Sequence, residues 1–225
     1  MTRVAITTDR FDAVAPEYSD LGLEPVSVPC VDVAVAGEEV LARAREAASD
    51  ADLVLITSAR TVALLWPRAA MAGTGAITVG GASAAAVEAA GGRVILSGRS
   101  GLANLVDGAG DVLRGARVVF PHAAGTDPGL LARLRGLVTD LEEQVIYRAV
   151  PVAPGQTPVD AVVFASPSAV TGWRLARDFD GVVVGVIGPT TQAAVARYRL
   201  PEVVAPEPSH HSLALALTSY LEVSV

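Results

Sequence analysis

The sequence has no lysine, one cysteine and few aromatic residues, and each shortage excludes a class of protein. All 17 basic residues are arginines, which excludes Schiff-base chemistry at a lysine side chain. The single cysteine, Cys30, excludes an internal disulfide and a multi-cysteine metal site. No apolar run reaches the roughly 20 residues that cross a bilayer, and the first residues lack the layout of a signal peptide. We therefore expect a cytoplasmic protein that binds no metal and no membrane.

The composition favours a soluble α/β protein with an acidic surface. The chain has 225 residues and is 51% hydrophobic but only 4% aromatic, so Ala, Val and Leu must build its core. Its formal net charge is −7, which argues against general nucleic-acid binding because that usually needs a basic face. A local group of arginines or a helix N-terminus can still bind an anion on such a surface.

The segment Gly181–Arg197 contains the most informative local pattern. It begins with a continuous aliphatic run, which predicts a strand of a parallel sheet that is covered on both faces. A Gly-Pro pair then ends the strand, and a helix is predicted from Gln192 onward. Thr190 and Thr191 therefore lie at a helix N-terminus. Their hydroxyls and the nearby N–H groups can bind an anion there, or the threonines can simply cap the helix.

A related pattern occurs 108 residues earlier in the chain. LITSARTV aligns with VFASPSAV, which places Ser58 opposite Ser166, and TVGGASAAAV aligns with VIGPTTQAAV, which places Ser83 opposite Thr191. Two copies of such a unit predict an α/β fold with two similar doubly wound, flavodoxin-like lobes and mainly parallel sheets. These polar residues fall at predicted strand ends, where ligands gather in sheets of this kind.

The residue patterns also predict two long strands and several helices elsewhere in the chain. A long, half-exposed strand is predicted over 25–35, interrupted by Pro29, and another long strand over 144–152. Helices are predicted over 59–70, 192–197 and 213–221. His210 and His211 precede the last helix, and we expect them to be solvated turn residues because their spacing does not suit a shared metal ion.

The motifs TSARTV, VGGAS, VIYRAVP, ASPSAV and IGPTT, in this order, resemble the uroporphyrinogen-III synthase family over essentially the whole chain. The resemblance implies a cofactor-free lyase of porphyrin and heme biosynthesis. Its substrate is linear hydroxymethylbilane, which carries eight carboxylates. The enzyme converts this bilane to uroporphyrinogen III with loss of water and inversion of the last pyrrole ring through a spiro intermediate.

The family fold implies two lobes joined by a two-stranded antiparallel connector. Mapped on this chain, the connecting strands are 25–35 and 144–152. Lobe one is then discontinuous, from 1–31 with 153–225, and lobe two is 36–146. We also expect a monomer that receives the bilane from the upstream bilane-forming enzyme.

The resemblance also assigns site residues. Tyr147 matches the tyrosine of the connecting strand, and its phenol can donate a proton to a departing hydroxyl; the alternative is a tyrosine packed on a strand with its hydroxyl in solvent. The candidates for binding the substrate carboxylates are hydroxyl side chains at helix starts, each of which can also serve as a helix cap. They are Ser58, Ser83, Ser166, Thr190 and Thr191.

Three positions depart from the family's pattern. Arg10 resembles the arginine after the family's first strand and could bind a carboxylate bidentately, unless Asp9 neutralises it. His122, a further candidate contact, stands where the family commonly has arginine after proline, and Gly81 stands where a polar residue can occur. These departures leave a second interpretation open, namely a catalytically weak or inactive module of the same fold that binds a tetrapyrrole or another polyanion.

Overall fold

The computed structural model describes residues 1–67, 71, 73–98 and 101–223 of the chain. Its contacts divide into two compact units. Unit 1 contains Met1–Val33 and Ala149–Val225, and unit 2 contains Ala34–Arg148.

The strands and helices alternate along most of the chain, as an α/β fold requires. The strands are β1 (Arg3–Ile6), β2 (Glu24–Ser27), β3 (Val31–Val35), β4 (Leu53–Ile56), β5 (Gly75–Thr78), β6 (Arg93–Ser97), β7 (Arg117–Ala123), β8 (Asp140–Pro151), β9 (Ala161–Phe164), β10 (Val183–Val186) and β11 (Val203–Val204). The helices are α1 (Phe11–Val14), α2 (Pro16–Ser19), α3 (Glu38–Asp50), α4 (Ala59–Leu65), α5 (Gly81–Ala89), α6 (Gly101–Gly108), α7 (Gly110–Leu113), α8 (Pro128–Leu137), α9 (Pro167–Arg174), α10 (Pro189–Val195) and α11 (His210–Val223).

Unit 1 is built on a parallel sheet with the strand order β2-β1-β9-β10-β11. Numbered within the unit, this is the 2-1-3-4-5 order of flavodoxin-like folds. The central strand β9 is buried on both faces: Val162 and Phe164 enter one hydrophobic cluster, while Ala161 and Val163 enter another. A strand without polar alternation suits this position because it has no solvent-facing side.

Unit 2 contains most of the second sheet, whose strand order is β3-β8-β7-β4-β5-β6. The pairs from β8 to β6 are all parallel. Strand β4 sends Val54 and Ile56 to one apolar cluster and Leu53 and Leu55 to the other. The two sheets, mainly parallel and flanked by helices, confirm the predicted fold class.

The predicted repeat appears as a shared strand order. Matched by the repeat, β4 and β5 correspond to β9 and β10, and the β8-β7-β4-β5-β6 order of unit 2 corresponds to β2-β1-β9-β10-β11 of unit 1. In unit 2, one continuous stretch of chain forms β4, β5, β6, β7 and β8 in turn. In unit 1, the equivalents of β7 and β8, which are β1 and β2, come first in the chain. The two units are therefore circular permutations of one arrangement.

The long strand predicted over 25–35 with an interruption at Pro29 is two separate strands, β2 and β3, which belong to different sheets. Up to Cys30 the chain follows β1, since the N–H groups of Val28 and Cys30 donate to the carbonyls of Ile6 and Thr7. Pro29, between them, has no N–H to donate, and no strand is assigned at 28–30. The Cys30 carbonyl then accepts a hydrogen bond from Val152, and β3 pairs with β8.

Strands β3 and β8 run in opposite directions. Val152 N–H donates to Cys30 O, and Ala36 N–H donates to Ile146 O. Residue numbers therefore rise along one strand as those of the bonded partners fall along the other, which is the antiparallel pattern. Strand β8 starts at Asp140, four residues before the predicted start of 144.

Three helix boundaries differ from the prediction. Helix α10 begins at Pro189 instead of Gln192, because proline suits the first helical position. Helix α4 ends at Leu65, before Pro67, and the rest of the predicted helix, 68–70, lies outside the described residues. Helix α11 begins at His210, so both neighbouring histidines are helical and the predicted solvated turn is wrong.

Candidate functional site

Tyr147 lies in β8 directly after an irregularity in strand pairing. His122 of β7 pairs with Val145, but the next residue, Ala123, pairs with Tyr147, so Ile146 is an extra residue on β8. The N–H of Ala124 donates to the Tyr147 carbonyl at 2.9 Å, which fixes the backbone beyond this bulge. Bulges re-aim side chains and occur next to active sites. The sequence pattern gives no sign of the bulge at Ile146.

Arg60 approaches the ring of Tyr147. Its guanidinium carbon lies 5.8 Å from the ring centroid, within the range of a cation–π contact. Arg60 is the second residue of α4, and its backbone N–H donates to the Oγ of Ser58 at 3.2 Å. The sequence analysis did not single out Arg60. The signal available was its place in TSARTV, two residues after the capping serine.

A cavity of about 300 Å³ lies beside Tyr147 within unit 2. Its lining is mainly aliphatic, and the two residues that bring hydrogen-bond donors in their side chains are Tyr147 and the exposed Arg148. The lining residues are Ala34, Val35, Ala36, Val145, Tyr147 and Arg148. A mostly apolar hollow with a few polar groups is the usual form of a small-molecule site.

Ser58 and Ser166 both cap helices, as the repeat predicts for equivalent positions. Ser58 is the N-cap of α4, and Ser166 is the N-cap of α9 and accepts a hydrogen bond from Ala169 N–H at 3.3 Å. An accepting hydroxyl keeps its own hydrogen, so each serine can still donate to a carboxylate.

Ser83 and Thr191 occupy the third position of α5 and α10, and both are buried, with 5% and 3% of their surface exposed. The neighbouring Thr190 is exposed. The N-caps of these helices are Gly80 and Gly188, and neither helix has a side-chain cap. The interpretation of the threonines as helix caps is therefore wrong.

Arg10 is exposed at the N-cap position of α1, and its backbone N–H donates to Thr8 Oγ at 3.3 Å. The Thr8 hydroxyl in turn donates to Asp9, also at 3.3 Å. Arg10, Ser166 and Thr190 thus follow three neighbouring strands, β1, β9 and β10, at the carboxyl edge of the sheet of unit 1.

His122 lies inside unit 2 with only 4% of its surface exposed. Its ring stacks on Phe120 at 4.5 Å between centroids, and its Nδ1 lies 2.9 Å from the carbonyl oxygen of Ala123. Its Nε2 faces Glu143 at 3.9 Å, and Glu143 also pairs with Arg135 at 2.5 Å. His122, which was predicted to contact the substrate, is therefore surrounded by groups of unit 2 itself.

The other two histidines hold α11 against α2. Tyr18 Oη lies 3.0 Å from His210 Nδ1, and His211 Nδ1 lies 2.9 Å from a carboxylate oxygen of Glu17. Burial, with a smaller contribution from Glu17, raises the pKa of Tyr18. Burial lowers the pKa of His210, while Glu17 opposes the shift. Within the described part of the chain, no cluster of three His, Cys, Asp or Glu residues could hold a metal ion.

Among the helices that the structure describes, none is long and apolar enough to cross a membrane.

Two permuted α/β units, with polar candidates at the carboxyl edges of their parallel sheets, define a protein of the two-unit, doubly wound class. The family profile described as uroporphyrinogen-III synthase HemD matches residues 12–214. The chain belongs to the uroporphyrinogen-III synthase family.

Solved structures of low sequence identity share the fold. A uroporphyrinogen-III synthetase from Helicobacter pylori is 15% identical with a TM-score of 0.73, and the match covers 98% of this chain and 99% of that one. A mutant uroporphyrinogen III synthase from Thermus thermophilus is 19% identical with a TM-score of 0.62, over 99% of this chain and 100% of that one. A comparison with curated protein sequences gives no match.

Proposed function

We propose that this chain converts hydroxymethylbilane to uroporphyrinogen III, as a working member of its family, and that Tyr147 donates the proton that releases water. One observation carries the role of Tyr147. The bulge at Ile146 sets its side chain beside Arg60 and the cavity, near the carboxyl edge of the unit 2 sheet.

The phenol suits the first step because a tyrosine carries its proton at neutral pH. The proton of Tyr147 passes to the hydroxyl oxygen of the bilane, the C–O bond breaks, and its electron pair leaves with the oxygen as water. The pyrrole nitrogen stabilises the cation that remains on the methylene carbon. The α-carbon of the last pyrrole ring that carries the bridging methylene attacks this centre and forms the spiro intermediate. The bond from that carbon to its former bridge then breaks, and the other α-carbon of the ring bonds the released methylene. After ring inversion and closure, a proton lost from the substrate restores the phenol.

Much of the rate comes from holding the flexible bilane in the conformation that closes with its end ring reversed. Exposed Arg10 and Thr190 suit direct contacts with carboxylates, and the capping hydroxyls of Ser58 and Ser166 have a hydrogen to donate. Ser83 and Thr191 are mostly buried, so we assign them supporting contacts close to their helix starts. Arg148 in the cavity is an additional carboxylate contact in this proposal.

The second interpretation, a tetrapyrrole- or polyanion-binding module without turnover, is not favoured. It drew on Gly81 and on His122 as a lost fixed positive charge, but the His122 ring is buried, with its Nδ1 2.9 Å from both Ala123 O and Thr126 Oγ1. For the same reason we leave His122 out of the contact set. The family match over most of the chain favours the enzyme.

The test is incubation with freshly generated hydroxymethylbilane and chromatographic separation of the isomers. We expect isomer III from the wild type, and from Tyr147→Phe a kcat lower by about 10²–10⁴-fold, the usual contribution of a positioned acid. If the wild type gives only isomer I, which forms spontaneously, the proposed activity is wrong. Binding of the bilane without isomer III would instead support the module.

We further propose that the enzyme works in the cytoplasm as a monomer and takes the bilane from the enzyme that makes it. The free, buried thiol of Cys30 suits a reducing compartment. Size-exclusion chromatography of the purified protein tests the oligomeric state, and a stable dimer would contradict the first part. A coupled assay with the bilane-forming enzyme and a competing bilane trap tests the handover: a rate insensitive to the trap would support it, and a rate that falls in proportion to the trap would contradict it.

A further inference from the structure

We infer that Arg60 is a positioning residue for the Tyr147 phenol and favours the departure of its proton. The inference rests on the proposed role of Tyr147 and adds a second residue to the proton-transfer step. The juxtaposition that carries it is the guanidinium of Arg60 at 5.8 Å from the centroid of the Tyr147 ring.

Both side chains start from backbone that is held in place. Arg60 follows the N-cap of α4, where its N–H is bonded to Ser58 Oγ, and the next two residues, Thr61 and Val62, are buried. The ring of Tyr147 packs against the hydrophobic core of unit 2. The contact therefore joins two anchored elements, so forming it requires no further ordering of the backbone.

The charge of Arg60 suits the reaction. When the phenol gives its proton to the leaving hydroxyl, negative charge develops on the oxygen and spreads over the ring. A cation close to that ring stabilises the charge as it forms, whereas it interacts less strongly with the neutral phenol. An interaction that is stronger in the transition state than in the ground state raises kcat more than it lowers KM.

A different role for Arg60, as a direct contact with a substrate carboxylate, predicts other kinetics. Loss of a carboxylate contact made equally in the ground state and the transition state raises KM and leaves kcat unchanged. Its effect is also independent of the phenol. The two roles can therefore be separated by a double-mutant cycle, since residues that act through one another are non-additive.

The experiment measures kcat and KM for isomer III formation in five variants of the full-length protein. They are Arg60→Gln, Arg60→Lys, Tyr147→Phe, the Arg60→Gln/Tyr147→Phe double variant and the control Arg43→Gln. Arg43 is exposed on α3, so Arg43→Gln removes the same charge from another helix of unit 2. Thermal unfolding of each variant checks that the fold is intact.

We expect Arg60→Gln to lower kcat by about 2- to 30-fold and to change KM little. This range is the usual free energy of a cation–π contact expressed as a factor in rate. Arg60→Lys retains a cation and should recover part of the loss. The double variant should be no slower than Tyr147→Phe alone, and Arg43→Gln should match the wild type.

Three results would overturn the inference. If Arg60→Gln slows Tyr147→Phe by the same factor as it slows the wild type, Arg60 acts independently of the phenol while the proposed role of Tyr147 stands. If Tyr147→Phe keeps the full wild-type rate, the proton-donor role itself is wrong, and the inference fails with it. An effect of Arg60→Gln on KM alone also counts against the inference.

Discussion

Gly172 is the position where a single methyl group should do the most damage to unit 1. A Cβ added there would lie 1.9 Å from the carbonyl oxygen of Cys30, and 2.8 Å from both the carbonyl carbon of Cys30 and the oxygen of Val152. All three atoms belong to the backbone, so no side-chain rotation can relieve the contact. The glycine thus allows α9 to pack directly on the point where Val152 N–H bonds Cys30 O.

The size of the effect can be worked from these distances. To bring the shortest contact from 1.9 Å to the 3.0 Å that real Cβ atoms tolerate, helix and strand must separate by 1.1 Å. Overpacking typically costs about 1–3 kcal/mol, and we expect the upper end or beyond because the backbone must move. Alanine recovers about 1 kcal/mol through its helix propensity. The net loss for Gly172→Ala is then about 2–3 kcal/mol, or roughly 4–12 °C in Tm for a chain of this size.

The assay is thermal and urea unfolding, followed by circular dichroism, of Gly172→Ala and the matched control Gly136→Ala. Gly136 also lies in the last turn of a helix, α8, but a Cβ there meets nothing within 4 Å. The control should therefore gain up to about 1 kcal/mol. A Gly172→Ala protein as stable as the control would refute the steric reasoning.

Four further predictions concern side chains with partners or surroundings inside unit 1. Burial lowers the pKa of His210, so its protonation disfavours the folded state; its contribution to stability is full above about pH 6.5, the usual pKa of histidine, and is lost as the pH falls through the lowered pKa. Urea unfolding at pH 5 and pH 8 should show this loss, and His210→Gln should reduce it. Tyr18→Phe leaves the Nδ1 of His210 without its partner at 3.0 Å, and we expect unfolding titrations to show a loss of about 1–3 kcal/mol. Ser166→Ala removes the cap of α9 and should cost about 1 kcal/mol in the same assay, whereas Ser168→Ala, at a half-buried position that is not the cap, should cost less. Burial raises the pKa of Cys30 to about 12, so iodoacetamide at pH 8 should alkylate this thiol only after unfolding; rapid labelling of the native protein would contradict this.

The local patterns that predicted the fold correctly are those decided by neighbouring residues. Continuous aliphatic runs became buried parallel strands, because a strand covered on both faces needs no polar side. The repeat correctly placed Ser58 and Ser166 at equivalent helix starts, where each caps its helix. The family resemblance, and no periodicity, supplied the division into lobes with a discontinuous lobe one, which stays a prediction.

The errors arose where distant parts of the chain decide the local structure. The division of 25–35 into two strands depends on β1 and β8, which lie far away in sequence and draw the two ends into different sheets. The bulge at Ile146 depends on the register against β7. Arg60 and Tyr147 are 87 positions apart, so their contact exists only in the folded unit. His122 carried no local sign that Phe120 and Glu143 would enclose it.

The permuted order of the two units has a consequence for how the chain folds. Unit 2 comes from one uninterrupted stretch, so its strands β4 to β8 can pair as soon as that stretch leaves the ribosome. The sheet of unit 1 cannot form until later, because Val4 of β1 pairs with Ala161 of β9, which is synthesised much later. Closing so long a loop is slow. We expect pulsed hydrogen exchange during refolding to protect β4 before β1, so that β1, although it precedes β4 in the chain, is among the last strands to pair.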